Sequence, residues 1–180
     1  MKMSNKCGMI VGRFQHIHKG HEKLINIALD KCERVLVFVS SDEDKSLKNP
    51  FDVEYRIGLV EKIFCNQVKS GRLVVRKLKT PDMIKKYVPT WGSFVLSEGY
   101  RMMGEAIDAI IYGDDKNILK CFTVSDLRHI NNIKVNRETL KISATDIRNI
   151  LSIDDKEEWK KNVNSIIYGE YDYLKKKLLS

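Results

Sequence analysis

Prolines are few, cysteines are scattered, and long apolar runs are missing; each lack excludes something. Three prolines in 180 residues, with no low-complexity segment and no internal repeat, leave no linker to divide the chain. One domain is expected over residues 1–152, with a C-terminal amphipathic helix over 153–180 packed on it. Cys7, Cys32, Cys65 and Cys121 form no CxxC pair, which argues against a metal site; three of them sit within apolar patterns, so buried free thiols in a reducing cytoplasm are the expected reading. No apolar run nears membrane-spanning length and no long apolar signal core opens the chain, so a cytoplasmic protein without a membrane partner is expected. The formal net charge is +8, yet helix-turn-helix patterning, zinc-finger spacing and interleaved aromatic and basic positions are all missing. Nucleic acid is therefore not the expected partner. A Ser/His/Asp or Cys/His nucleophile constellation is lacking too.

What is present begins at Val11. An apolar run, Cys7 to Val11, leads into Gly12-Arg13-Phe14-Gln15-His16-Ile17-His18-Lys19-Gly20-His21, and then into a helical pattern of Leu24, Ile25, Ala28 and Leu29. This reads as a strand, a tight turn and a helix whose first turn carries His18, Gly20 and His21. Unpaired N–H groups and a partial positive charge suit such a helix start to an anion, and a glycine lets a ligand approach the backbone. Two imidazoles and Arg13 at the same place can donate hydrogen bonds to phosphate oxygens. Near the other end, Ile142-Ser143-Ala144-Thr145-Asp146-Ile147-Arg148 opens another helix, with two hydroxyls at its start and Arg148 one turn along the same side.

Between these motifs, apolar runs at Val35–Val39, Leu73–Leu78, Ala109–Tyr112 and Ile133–Val135 alternate with helical patterns. That alternation argues for an α/β fold, a doubly wound parallel sheet with helices on both faces. Asp52 is expected to cap a helix carrying Val53, Ile57, Val60, Ile63 and Phe64; Arg56, near its start, points toward the site or pairs with Glu54 or another neighbour. The stretch Trp91 to Met103 reads as a helix, or as a strand over Ser93–Ser97, because Gly92 and Gly99 weaken the helical reading. Asp114 and Asp115 are read as caps of a helix over Lys116–Phe122 rather than as metal ligands, and the tail from Asp155 as one amphipathic helix capped by Asp155 with Glu158. The tail's apolar stripe is read as packing on the domain, with a homo-oligomer contact as the other reading.

His18-Lys19-Gly20-His21 resembles the HxGH signature of nucleotidyltransferases, and Ile142 to Arg148 is similar to their ISxTxxR signature. The Gly12-Arg13-Phe14-Gln15 run looks like the archaeal-type nicotinamide mononucleotide (NMN) adenylyltransferases and their bacterial relatives. His16 stands where those proteins usually carry proline. The resemblance implies a Rossmann-like nucleotidyltransferase fold and the reaction of ATP with NMN to give NAD and pyrophosphate. It further implies catalytic roles for His18, His21, Arg13 and Arg148, and an ATP site of Gly12, Arg13, Phe14, His18, Gly20, His21, Gly113, Lys141, Ser143, Thr145 and Arg148. Lys48, in Lys48-Asn49-Pro50-Phe51, matches a family arginine that reaches substrate phosphate; a solvated loop lysine is the competing reading. Trp91 matches a tryptophan that stacks on the nicotinamide ring, although Val88 replaces the usual asparagine before it and a core position competes. Magnesium is expected through ATP phosphates, with no protein metal site. The alternatives are an adenylyl- or cytidylyltransferase for another phosphate acceptor, such as phosphopantetheine, and a non-catalytic nucleotide-binding regulator.

Overall fold

A computed structural model describes residues 5–41, 46, 48–84, 88–113, 118–136 and 142–180. Asp114, Asp115, Lys116, Arg137, Glu138 and Lys141 lie outside these residues. Five parallel strands form one sheet: β1 (Asn5–Gly12), β2 (Cys32–Ser40), β3 (Leu73–Leu78), β4 (Ala109–Tyr112) and β5 (Asn131–Lys134), in the order β3-β2-β1-β4-β5. From β1 the chain winds outward in one direction to β2 and β3, then returns to lay β4 and β5 on the other side. The doubly wound expectation holds. Its reversal lies between β1 and β4, where Gly8 pairs with Ala109 and Met9 with Ile110. Ligand crevices form beyond the carboxyl ends of strands at such a point.

The inner strands β1, β2 and β4 are buried on both faces, as their continuous apolar runs require, whereas the edge strand β5 is largely exposed. Along β2, Val35, Val37 and Val39 face one core and Leu36 and Phe38 the other. The first core is covered by α1 (Lys19–Lys31), α2 (Val53–Ile63) and α6 (Ala144–Ser152). The second lies under α4 (Pro89–Met103) and the 3-10 turn Ile118–Cys121. Short helices α3 (Cys65–Lys69) and α5 (Val124–Leu127) join elements at the rim. The stretch read as helix or strand after Trp91 is helix throughout. Gly92 supports it by close approach: a Cβ there would stand 2.0 Å from the Cys121 carbonyl oxygen.

Two local expectations are corrected and one is narrowed. Asp52 occupies the N-cap of α2 but makes no side-chain cap bond. Arg56 pairs with other neighbours, one of its expected readings. It is 4% exposed and donates to the carbonyls of Phe51, Arg13 and Ser40, tying together the chain beyond β1 and β2. The tail is not one helix: α7 (Lys156–Asn162) and α8 (Tyr171–Leu179) are separated by a 3-10 turn, Ser165–Glu170. Asp155 caps α7 by accepting from Glu158 N–H at 2.9 Å. Trp159, Val163, Ile167, Tyr171, Leu174 and Leu178 join the first core.

Candidate active site

β1 ends at Gly12, and the turn that follows lies at the mouth of the reversal. Phe14 adopts φ 50°, a conformation that non-glycine residues rarely adopt, and its ring is buried. His18 is the N-cap of α1: its Nδ1 accepts from Gly20 N–H at 3.1 Å. An accepting Nδ1 leaves the ring proton on Nε2, the nitrogen available to a ligand. His21, one turn along, stacks on His18 with ring centroids 3.8 Å apart and meets the Phe14 ring at 4.6 Å. Gly20 sits beneath this stack. A Cβ there would come within 3.0 Å of the His18 ring and of the Ile142 carbonyl oxygen, so the small residue lets the two motifs meet.

Burial keeps both rings uncharged. Desolvation, followed by the neighbouring His21, drives the His18 pKa far below that of a free imidazole. His21 is lowered to about 3, first by desolvation and then by His16, while the His16 backbone pulls the other way. The Nδ1 of His21 is buried without a hydrogen-bond partner of normal geometry. Such an atom costs about 1–3 kcal/mol unless something meets it. The pair is therefore a neutral, hydrogen-bonding surface at the positive end of a helix, suited to an anion that can restore what desolvation removed.

The second motif meets the first across a cleft of about 490 Å³, lined by Gly12, Arg13, Phe14, His18, Gly20 and His21 on one side and Ile142, Ser143 and Ala144 on the other. Gly113, just beyond β4, completes it. Ser143 forms a reciprocal cap with Asp146: its Oγ donates to Asp146 Oδ2 at 2.6 Å and accepts from Asp146 N–H at 3.3 Å. That hydroxyl is thus engaged in holding α6, which leaves the helix start and its N–H groups to meet a ligand. Arg148 donates to the Gln15 carbonyl at 3.0 Å and to Thr145 Oγ1 at 3.2 Å, so it clamps the first motif to the second.

A second cleft of about 500 Å³ opens on the other side of Arg13. Arg13, Lys48 and Arg148 line it together with Thr145, and none of its lining residues is acidic. Lys48 is thus brought to the site. Arg148 is lowered first by burial and then by the neighbouring Arg13, as befits two cations held close. Asn149 and Ser152 also line this cleft. Their four-residue spacing from Thr145 and Arg148 was the available sequence signal. Leu178 and Leu179, its apolar wall, had none, because they arrive from the tail.

Trp91 is not brought to either cleft. It is 4% exposed, packs in the second core, and donates its indole N–H to Thr80 Oγ1 at 3.0 Å. The expectation of an indole face open to a ligand ring is corrected: core packing covers it. Among the described residues there is no group of three or more His, Cys, Asp or Glu that could hold a metal ion, and no helix is long and apolar enough to cross a membrane.

Known proteins resemble this chain in sequence and in fold. A nicotinamide-nucleotide adenylyltransferase of Pyrococcus furiosus is 38% identical over 56 residues, which cover 31% of this chain and 30% of that protein. The chain thus spans under a third of that relative's length. The enzyme of the same name from Saccharolobus solfataricus is 23% identical over 165 residues, covering 89% of this chain and 87% of its own. Among solved structures, a bifunctional NMN adenylyltransferase/ADP ribose pyrophosphatase from Francisella tularensis superposes with a TM-score of 0.68 at 21% identity, over 97% of this chain and 50% of that one. A putative nicotinate-nucleotide adenylyltransferase from Vibrio parahaemolyticus gives 0.61 at 18% identity, over 98% and 99%. These structures share the fold. The model of the cytidylyltransferase-like family matches residues 9–150, from β1 through both motifs to α6, and the chain belongs to that family.

Proposed function

We propose that this protein transfers the adenylyl group of ATP to NMN, giving NAD and pyrophosphate. The observation that carries the reading is the meeting of His18 and His21 with the start of α6 across one cleft, beside a second cleft lined by three cations. An oxygen of the NMN phosphate attacks the α-phosphorus of ATP. A new P–O bond forms in line with the bond to the β-phosphate, which breaks and releases pyrophosphate. No protein nucleophile is needed. The protein orients two anions and stabilises charge in the transition state.

In this reading the imidazoles of His18 and His21 donate to triphosphate oxygens, with His21 nearest the α-phosphate. Gly12, Phe14, Gly20 and Gly113 shape the ATP cleft, and the α6 start at Ser143 and Thr145 takes further phosphate oxygens, joined by Lys141. Arg13, standing between the clefts, and Arg148 draw off the departing pyrophosphate, while Lys48 steadies the acceptor phosphate. Magnesium enters as Mg·ATP, bound by phosphate oxygens and water. The mainly neutral and cationic donor set of the two clefts fits that arrangement better than a protein-held ion. Buried thiols at Cys7 and Cys32 accord with work in a reducing cytoplasm.

The covered indole of Trp91 favours a second reading, in which another phosphate monoester takes the place of NMN. One assay separates the two. The protein is incubated with Mg·ATP and, in turn, NMN, nicotinic acid mononucleotide or phosphopantetheine, and both pyrophosphate and the dinucleotide are measured. NAD formation with NMN supports the proposal. Pyrophosphate released only with phosphopantetheine would replace it.

A further inference from the structure

The turn that carries the imidazoles is held from several sides. Arg56 donates to the Arg13 carbonyl, and the Gln15 side chain pairs with both backbone groups of Phe51, donating to its carbonyl at 3.3 Å and accepting from its N–H at 3.1 Å. Arg148 holds the Gln15 carbonyl. A further tether comes from beyond the part of the chain matched by the family model: Trp159 Nε1, in α7, donates to His16 Nε2 at 3.1 Å across 143 residues.

The chemistry of this contact is narrow. An indole N–H only donates, so His16 Nε2 must present its lone pair. The ring proton then sits on Nδ1, which faces the Ile17 carbonyl at 2.7 Å. Both nitrogens of a ring at 0% exposure are satisfied, and only this neutral tautomer satisfies them together. Burial, the main cause, lowers the His16 pKa to about 4 and keeps that tautomer at neutral pH. Trp159 is itself at 0% exposure and edge-on to Tyr171 at 5.2 Å, whose hydroxyl donates to Asp154 at 2.7 Å. The donor is thus as firmly placed as its acceptor.

We infer that Trp159 is a positioning residue: through its hydrogen bond it fixes the tautomer and orientation of His16, and through the adjoining Ile17 carbonyl the placement of His18 and His21. The inference rests on the function proposed above. His18 begins α1 two residues after His16 and stacks directly on His21, so a displaced turn moves both imidazoles away from the reacting phosphate. Misplacement by about 1 Å is enough to cost up to ~100-fold in rate.

Trp159→Phe removes the donor and keeps an aromatic ring; His16→Leu removes the acceptor; His16→Gln keeps one. Turnover is measured at saturating substrates, and the imidazole resonances of His18 and His21 are recorded by NMR in the ligand-free protein. Trp159→Phe is expected to lower kcat about tenfold with a nearly constant KM for ATP, and to shift both imidazole resonances. The Trp159→Phe/His16→Leu pair should be no slower than the slower single variant, because both break the same bond. His16→Gln should stay closer to wild type than His16→Leu. Unmoved histidine resonances, an unchanged kcat, or losses that add in the double variant would each overturn the inference. If the wild-type protein makes no NAD, adenylyl transfer to NMN fails as a reading, and the imidazole resonances alone then decide whether Trp159 positions the turn.

Discussion

Arg148→Ala tests the site without requiring turnover. In the ligand-free protein Arg148 makes two hydrogen bonds, to the Gln15 carbonyl and Thr145 Oγ1, each contributing about 1 kcal/mol. Against them stand its partial desolvation and the neighbouring Arg13 charge, the two causes that lower its pKa. These opposing effects leave a stability change within about 1 kcal/mol, or roughly 2–4 °C in Tm for a chain of this size. ATP binding should respond far more. A forked, charge-assisted contact in a half-buried site is worth up to about 2.7 kcal/mol, close to a ~100-fold change in Kd. At an ATP concentration ~100 times the wild-type Kd, ligand stabilisation is about 2.7 kcal/mol; in the variant the same concentration gives only about 0.4 kcal/mol. Thermal unfolding with and without Mg·ATP should therefore show a shift of roughly 5–11 °C in the wild type and about 1 °C in the variant. Arg148→Lys should fall between, since an ammonium cannot fork. A variant that keeps the full ATP-dependent shift would show that Arg148 only joins the two motifs, and the phosphate role would be withdrawn.

His21→Ala should reduce turnover by about two to three orders of magnitude while the protein stays folded; a folded variant with undiminished kcat refutes its contact with the reacting phosphate. Trp91→Ala should cost about 3–5 kcal/mol of stability and leave the KM for NMN unmoved, as kinetics and melting measured side by side will show; a raised KM with an intact Tm would return the indole to the acceptor site. Gly92→Ala forces a methyl against the Cys121 carbonyl and should destabilise by about 3 kcal/mol or more, read by denaturant unfolding. The buried His16 and His21 have pKa values lowered from 6.5 to about 4 and about 3, so below pH 6.5 the unfolded chain binds more protons than the folded one. Stability is full above that pH and falls as acid is added, by up to about 1.4 kcal/mol per pH unit for each ring down to its folded pKa; a flat stability profile between pH 6.5 and 4 would contradict their burial.

The inner strands were legible because strands buried on both faces write themselves as unbroken apolar runs, as Val35 to Val39 does. The two motifs were legible because each is local: the first is a strand end, a turn and a helix start within about ten residues, and the second a capped helix start with Arg148 one turn along. What escaped was decided by contacts far along the chain. His16 looked like a departure from proline until Trp159 supplied its partner 143 residues away. Trp91 shares its composition-level signature with a stacking residue, and only the hydroxyl of Thr80 and the packing around it show the indole covered. The division of the tail left no mark in the apolar pattern: Trp159, Val163, Ile167, Tyr171, Leu174 and Leu178 keep a helical spacing straight across the 3-10 turn. The capped helix α5 could have been found, since Thr123 and Asp126 form a reciprocal cap at the spacing such caps require.

The place of β1 in the sheet has a consequence for how the chain is made. It is central, yet of the five described strands it is the first to leave the ribosome. Its partner β2 follows within some thirty residues, but β4 arrives only with Ala109. At about 5–20 residues per second, the second edge of β1 waits roughly 5–20 s for its neighbour. During that interval an apolar strand with an open ladder is available to other nascent chains, and parallel pairing over such separations is slow to close. The His18–His21 helix can form early. The turn before it waits longer still, until α7 emerges with Trp159. A half-made chain therefore carries the imidazoles but not the frame that aims them, and competence for chemistry waits on the arrival of Trp159.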